Sequence, residues 1–283
     1  MQQGQESRTA VMVCMARAIA HATGQLSDPT ALALLPEPAR RTVERLHGGE
    51  PPSSLRERME REFVDRRAKM MVARTIEIDH AIRTAAAPQV VILGAGLDGR
   101  AWRMHELAHA TVFEVDHPDS QREKRRRAAA LTPTAREVRF VAVDFARDDL
   151  EAALGSAGHD ATQPTTWVWE GVVMYLERRA IEATLAIIQR RSAAHSRLIV
   201  AYIRSTILQR LTGIVVRRIG EPFRSVFTRD QMAALQARFG FGVVSDRDVP
   251  TIAGSLSAEL GRATRAMNHL RIATADRLDR GAA

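Results

Sequence analysis

From Gln89 onward the chain alternates short apolar runs with helical segments, and that rhythm limits the fold more than any other feature. The runs are Gln89 to Leu93, Thr111 to Val115, Val138 to Val143, Thr166 to Trp169 and Arg197 to Ile203. Strands separated by helix-length segments must be carried back before they can pair, which gives a mostly parallel sheet with helices on both faces. After a helical stretch to about Arg218, a helix opens at Thr228, where Gln231 completes a capping box, and an apolar strand follows at Phe241 to Val244. The tail suits a helix over Ser255 to Ala266 and one more strand, His269 to Ala275, beside the Phe241 strand. The expected class is α/β and Rossmann-like.

Residues 1 to 87 show no strand-like alternation. Ser54 followed by Glu57 reads as a capping box opening a long helix that ends near Ala87. The chain therefore divides into an N-terminal helical cap, residues 1–87, and an α/β domain, residues 88–283.

Composition excludes some classes. The longest apolar runs, such as Val11 to Ala16, fall far short of the roughly 20 residues needed to span a membrane. Arg17 and His21 interrupt the apolar patch near the start, which argues against a signal peptide. Cys14 is the single cysteine, so no internal disulfide or cysteine cluster can form, in keeping with the cytoplasm. The net charge of +8 raises nucleic acid as a partner, but the basic residues are interleaved with acids. Only Arg122 to Arg127 clusters, and it lacks the interleaved aromatics of a base-stacking surface, so nucleic acid is disfavoured.

The chemistry begins where the strand ending at Leu93 enters Gly94-Ala95-Gly96-Leu97-Asp98-Gly99-Arg100. Glycines there allow a tight turn and close approach of backbone to a ligand before a helix starts. The pattern also fits a dinucleotide fingerprint, with Glu114 and Asp116 about 20 residues on, and it fits a plain connecting turn. The next strands end acidic as well. Asp116 could accept both ribose hydroxyl protons, and Asp144 could accept from an adenine amino group while Phe145 packs on the ring, although an Asp at such a place can equally cap a helix. With Glu170 after Trp169, four strand ends converge on one crevice.

These segments, together with Glu114-Val115-Asp116-His117-Pro118, Val143-Asp144-Phe145 and Glu170-Gly171-Val172-Val173-Met174-Tyr175-Leu176, resemble the leucine carboxyl methyltransferase family. The likeness is greatest to its bacterial, actinomycete branch of S-adenosyl-L-methionine-dependent O-methyltransferases, which includes polyketide carboxyl O-methyltransferases. Ser7-Arg8-Thr9-Ala10, Asp28-Pro29 and Gly220-Glu221-Pro222-Phe223 extend it. Two positions depart from the family pattern: Gly99 stands where threonine is usual, and Trp102 where tyrosine or phenylalanine is common.

The resemblance implies a class I methyltransferase fold with S-adenosyl-L-methionine as cofactor. It implies that Gly94, Ala95, Gly96 and Asp98 form the cofactor turn, Asp116 holds the ribose, Asp144 and Phe145 the adenine side, and Glu170 the pocket floor. Arg74 matches an arginine that reaches the methionine carboxylate, and reads equally as an exposed helix arginine. Tyr175, Tyr202 and Arg204 are candidates for the acceptor pocket, with a structural role open for the last two. The cap would shape the acceptor site.

The expected reaction is in-line methylation of a carboxylate, or a hydroxyl, of a small secondary metabolite. A carboxylate is already ionised at neutral pH and needs no base, whereas a hydroxyl would need one such as His105, His117 or His195. No catalytic residue, no metal site and no oligomeric state can be assigned. An NAD(P)-dependent oxidoreductase and a non-catalytic protein that keeps the fold are the alternatives.

Overall fold

The first strand is apolar on both faces, so it can only sit between two layers of helices. The structure, a computed structural model, describes residues 8–47, 52–145, 147–205 and 223–278. In it β1 (Gln89–Leu93) is fully buried. Val90 and Ile92 join one apolar cluster, and Val91 and Leu93 join another on the opposite face.

Around β1 lie β2 (Thr111–Asp116), β3 (Glu137–Ala142), β4 (Thr165–Trp169), β5 (Arg197–Ile203), β6 (Phe241–Asp248) and β7 (Leu270–Arg277). Their order across the sheet is β3-β2-β1-β4-β5-β7-β6. β1 to β5 pair in parallel, and β7 runs antiparallel between β5 and β6. The fold is therefore the Rossmann-like, mostly parallel α/β arrangement expected, with the final strand beside β6 as expected.

Four helices precede the sheet: α1 (Arg8–Ala22), α2 (Ala31–Leu34), α3 (Glu37–His47) and α4 (Leu55–Ala85). Ser54 caps α4 by accepting from the Glu57 N–H at 3.2 Å, but the Glu57 carboxylate returns to Ser53 rather than to Ser54. One apolar cluster runs from Ile19 and Leu34 through Ile78 to Ile92 and Val168, so these helices share a core with one face of the sheet.

The sheet helices are α5 (Arg100–Arg103), α6 (Pro118–Ala128), α7 (Leu150–Ser156), α8 (Arg178–Arg190) and α9 (Arg229–Arg238). The capping box of Thr228 and Gln231 is complete. The stretch Ser255 to Ala266, expected as one helix, is divided. α10 (Val249–Leu256) ends at Ser257, whose hydroxyl accepts from Leu260 N–H to start α11 (Ala258–Thr264). A serine that can satisfy free N–H groups makes a restart cheaper than continuation. The helical stretch expected up to Arg218, and the motif residues Ser7 and Gly220 to Pro222, lie outside the described residues.

Candidate functional site

Strand register builds the site. Leu93 pairs with Val115 on one side and with Trp169 on the other. The next residues, Gly94, Asp116 and Glu170, therefore form one row along the carboxyl edge. The chain passes from β1 to β2 on one side while β4 lies on the other, so this row flanks the point where strand order reverses, the place where open α/β sheets bind ligands.

Gly94 begins the turn with φ +70°, a conformation that costs an L-residue about 1–2 kcal/mol. A methyl there would also come within 2.3 Å of Val172 Cγ2, in the loop after β4. Gly94 and Ala95 both donate to the Val115 carbonyl, which folds the turn back over β2. Gly96 N–H donates to Asp116 Oδ2 at 2.5 Å, and His117 N–H donates to Oδ1 at 2.6 Å. Burial pushes the Asp116 carboxyl above its ordinary value, and these two N–H groups oppose the shift. Each oxygen keeps a lone pair for a further donor, as ribose binding requires.

Glu170 ends the row. Its Oε1 lies 2.6 Å from Arg74 Nε on α4, and its Oε2 accepts from Arg100 Nη1 at 2.8 Å. Burial favours its protonated form, but Arg74 and Arg100 outweigh it and hold the carboxyl below the usual range. Arg74 is buried, so the exposed-helix reading does not apply.

A larger ionic chain surrounds this pair. Arg100 also holds Asp98 at 2.5 Å and Asp79 at 2.7 Å. Asp79 binds Arg103 at 2.7 Å, and Asp28 lies 3.4 Å from Arg103 and 3.6 Å from Arg17. Arg17 in turn donates to the Leu97 carbonyl in the turn after β1. Four arginines thus alternate with four carboxylates, which lets so many charges be buried together. Asp98 enters this chain and is held well below its usual range by Arg100 and Arg17 against the desolvation that burial imposes. Sequence reasoning named Arg74, Asp98 and Glu170 but not Arg17, Asp79 or Arg103. A buried acid five positions after Arg74 on one helix was the available signal.

The same neighbourhood accounts for Gly99. A Cβ there would sit 2.2 Å from Thr30 Oγ1, so Thr30, hydrogen bonded to Asp28, fills the space a threonine would take.

Asp144 follows β3, partly exposed, with Arg147 Nε 3.8 Å away. Asp149 rather than Asp144 caps α7, which removes the helix-cap alternative. Phe145 packs half-buried against the second core cluster. Glu114 does not join the row: it is buried, and Lys124 on α6 lies 2.7 Å from its carboxylate. His117 caps α6 by accepting from Asp119 N–H.

Of the acceptor candidates, Tyr175 ends the 3-10 turn Val173–Tyr175, its ring 5.8 Å from that of Phe223. The backbone of Arg224 donates to Met174 O at 2.8 Å, so the residues just before α9 dock on the loop that follows Glu170. Tyr202 is not brought to the crevice. It is fully buried in the second core cluster, and its hydroxyl donates to Asp246 on β6 at 2.7 Å. Arg204 follows β5 at the carboxyl edge, where its N–H donates to the His269 carbonyl.

The profile of the leucine carboxyl methyltransferase family matches residues 10–189. The chain belongs to this family. A relative from Mycolicibacterium smegmatis, named for S-adenosyl-L-methionine-dependent methyl transfer, is 41% identical over 168 residues, 58% of this chain and 55% of its own length. One of the same name from Mycolicibacterium paratuberculosis is 38% identical over 201 residues, 69% of this chain and 65% of its own. The chain thus spans between half and two thirds of these family members. A Thermobifida fusca structure described as a methyltransferase superposes with a TM-score of 0.60 at 16% identity, covering 93% of this chain and 94% of that one. At that identity the likeness concerns the fold. No described helix is long and apolar enough to cross a membrane, and the described residues hold no cluster suited to a metal ion.

Proposed function

We propose that the protein is a cytoplasmic S-adenosyl-L-methionine-dependent O-methyltransferase acting on a carboxylate of a small metabolite. The observation that carries the reading is the row Gly94, Asp116, Glu170, closed at its end by Arg74. Family membership supports the same reading. S-adenosyl-L-methionine, when bound, supplies a methyl group activated by a sulfonium.

The residues fit that cofactor by charge and shape. The turn at Gly94 to Gly96 brings backbone close to a ligand, and Asp116 retains acceptor capacity for ribose hydroxyls. Asp144 and Phe145 take the adenine side. Arg74 offers its guanidinium to the methionine carboxylate while Glu170 orients it and Arg100 anchors Glu170. The remaining contribution is positioning, since an ionised acceptor carboxylate attacks without a base and the rate gain comes from alignment and exclusion of water. Tyr175, close to Glu170 in the chain, and Arg204 are the acceptor-side candidates, and the helices of residues 8–85 would shape that side. A nicotinamide cofactor is disfavoured because Asp144 and Glu170 have no role in that fingerprint. The basic strip on α6 is engaged internally: Arg122 pairs with Asp119, Arg126 and Arg127 with Glu123, and Lys124 with Glu114, which disfavours nucleic acid.

Calorimetric titration with S-adenosyl-L-methionine, NAD and NADP tests the proposal. Saturable binding of the first alone supports it. Binding of a nicotinamide cofactor instead, or of none, overturns it.

A further inference from the structure

The first half of α4 extends beyond the carboxyl edge of the sheet. Arg74 marks that edge by its contact with Glu170, and Lys69 and Arg61 lie about 7.5 and 20 Å farther along the axis at 1.5 Å per residue. The start of β7 reaches the same edge from the other direction, because Leu270 pairs with Ile203 at the end of β5. α11, which leads through the 3-10 turn Arg265–Met267 into β7, packs on α4, with Glu259 3.2 Å from Lys69.

Between them lies a cavity of about 990 Å³. Its walls carry Arg58, Arg61, Arg66, Lys69, Arg262 and Arg265. Among the described residues two carboxylates face them, Glu62 and Asp65. Glu62 pairs with Arg66 at 3.0 Å, and Glu259, outside the cavity, takes Lys69 at 3.2 Å. Arg58, Arg61, Arg262 and Arg265 have no ion pair or hydrogen bond to a described side chain. Around Arg100, by contrast, buried arginines alternate with acids. Four arginines without a described acid partner thus converge on one cavity from α4, α11 and the 3-10 turn.

We infer that this cavity receives the anionic far end of the methyl acceptor, an oligoanion bearing phosphate or carboxylate groups. The inference rests on the methyltransferase reading for the word acceptor, but the anion site stands on the cavity alone. A volume near 1,000 Å³ is the scale of small-molecule sites. Guanidinium groups bind both oxyanions through paired N–H donors. The acceptor spans from the Glu170 row to the arginines, with its reacting oxygen at the row and its second charge beyond Lys69.

The test uses the intact protein, with pyrophosphate and citrate as probes, and compares it with the R58Q/R61Q/R262Q/R265Q variant. S-adenosyl-L-methionine binding is measured on both proteins. The expected result is binding of at least one probe, weakened at least tenfold in the variant and weakened by added salt, with cofactor affinity equal in both proteins. Preference for pyrophosphate marks a phosphorylated acceptor, and preference for citrate a polycarboxylate. Absence of binding by either probe, or binding unaffected in a variant that still takes the cofactor, overturns the site. Tighter binding of a duplex DNA oligomer than of both probes also overturns it. A wild-type protein that binds pyrophosphate but not S-adenosyl-L-methionine overturns the methyltransferase reading and leaves the anion site standing.

Discussion

Arg74, in the middle of α4, and Glu170, one residue past β4, meet at 2.6 Å in a largely buried pair that fastens the helices before the sheet to its carboxyl edge. The pair sets the geometry of the end of the crevice. Replacing Arg74 by Met should weaken S-adenosyl-L-methionine binding by about 10- to 100-fold, from loss of a charged hydrogen-bond donor. It should also lower stability, because Glu170 then keeps only Arg100. Calorimetry for affinity and denaturant titration for stability separate the two effects.

Asp116 offers its remaining lone pairs to the crevice while Gly96 and His117 hold the carboxylate still. Asp116→Ala should weaken cofactor binding by about 1–3 kcal/mol. Unchanged affinity would remove the ribose assignment.

Gly94→Ala meets two obstacles, a positive φ and the Val172 methyl. Stability and cofactor affinity should both fall. The double variant G94A/V172A should recover the steric part and leave about 1–2 kcal/mol from the backbone. Melting curves of the two variants measure the difference.

Tyr202→Phe removes one buried hydrogen bond, to Asp246. The expected cost is about 1–3 kcal/mol of stability with cofactor affinity and turnover unchanged. A large loss of turnover at unchanged stability would return Tyr202 to the acceptor site.

His159 is buried against Thr165 and Arg191, and burial with the nearby Arg191 charge pushes its pKa down to about 4. Arg191 Nε donates to Nδ1, so the neutral ring carries its proton on Nε2 toward Thr165. Because the folded value lies below the unfolded one, the unfolded chain binds more protons between about pH 6.5 and 4. Stability from this group is thus present above pH 6.5 and lost as pH falls to 4, by about 3 kcal/mol at most. Denaturation midpoints across that range should show the slope, and His159→Asn should remove it.

Much of the fold was legible because it depends on local pattern. Apolar runs place the parallel strands to within a residue and the final strand to within two, whereas β6 runs four residues past the expected end at Val244. The acids following β2 and β4 fall in one row because parallel pairing keeps strand ends level. The ionic chain was not legible, since its partners lie far apart in sequence: Asp28 and Arg103 meet only because α5 lies over the loop before α2. Tyr202 shows the same limit. Alternation along β5 predicts which face a side chain takes, but Asp246 reaches its hydroxyl from a strand two places away in the sheet. The break at Ser257 was visible only as a single hydroxyl within a helical pattern.

The placement of β7 orders events during synthesis. Among the described strands β6 pairs only with β7, and β7 is the strand that joins it to β5. A nascent chain complete through Asp248 can close β1 to β5, yet β6 has no neighbour until residues 270–277 leave the ribosome. At about 5–20 residues per second that interval lasts on the order of one to a few seconds. During it the β5 edge and all of β6 stay unpaired, so β7, made after β6, is the strand that joins it to the sheet.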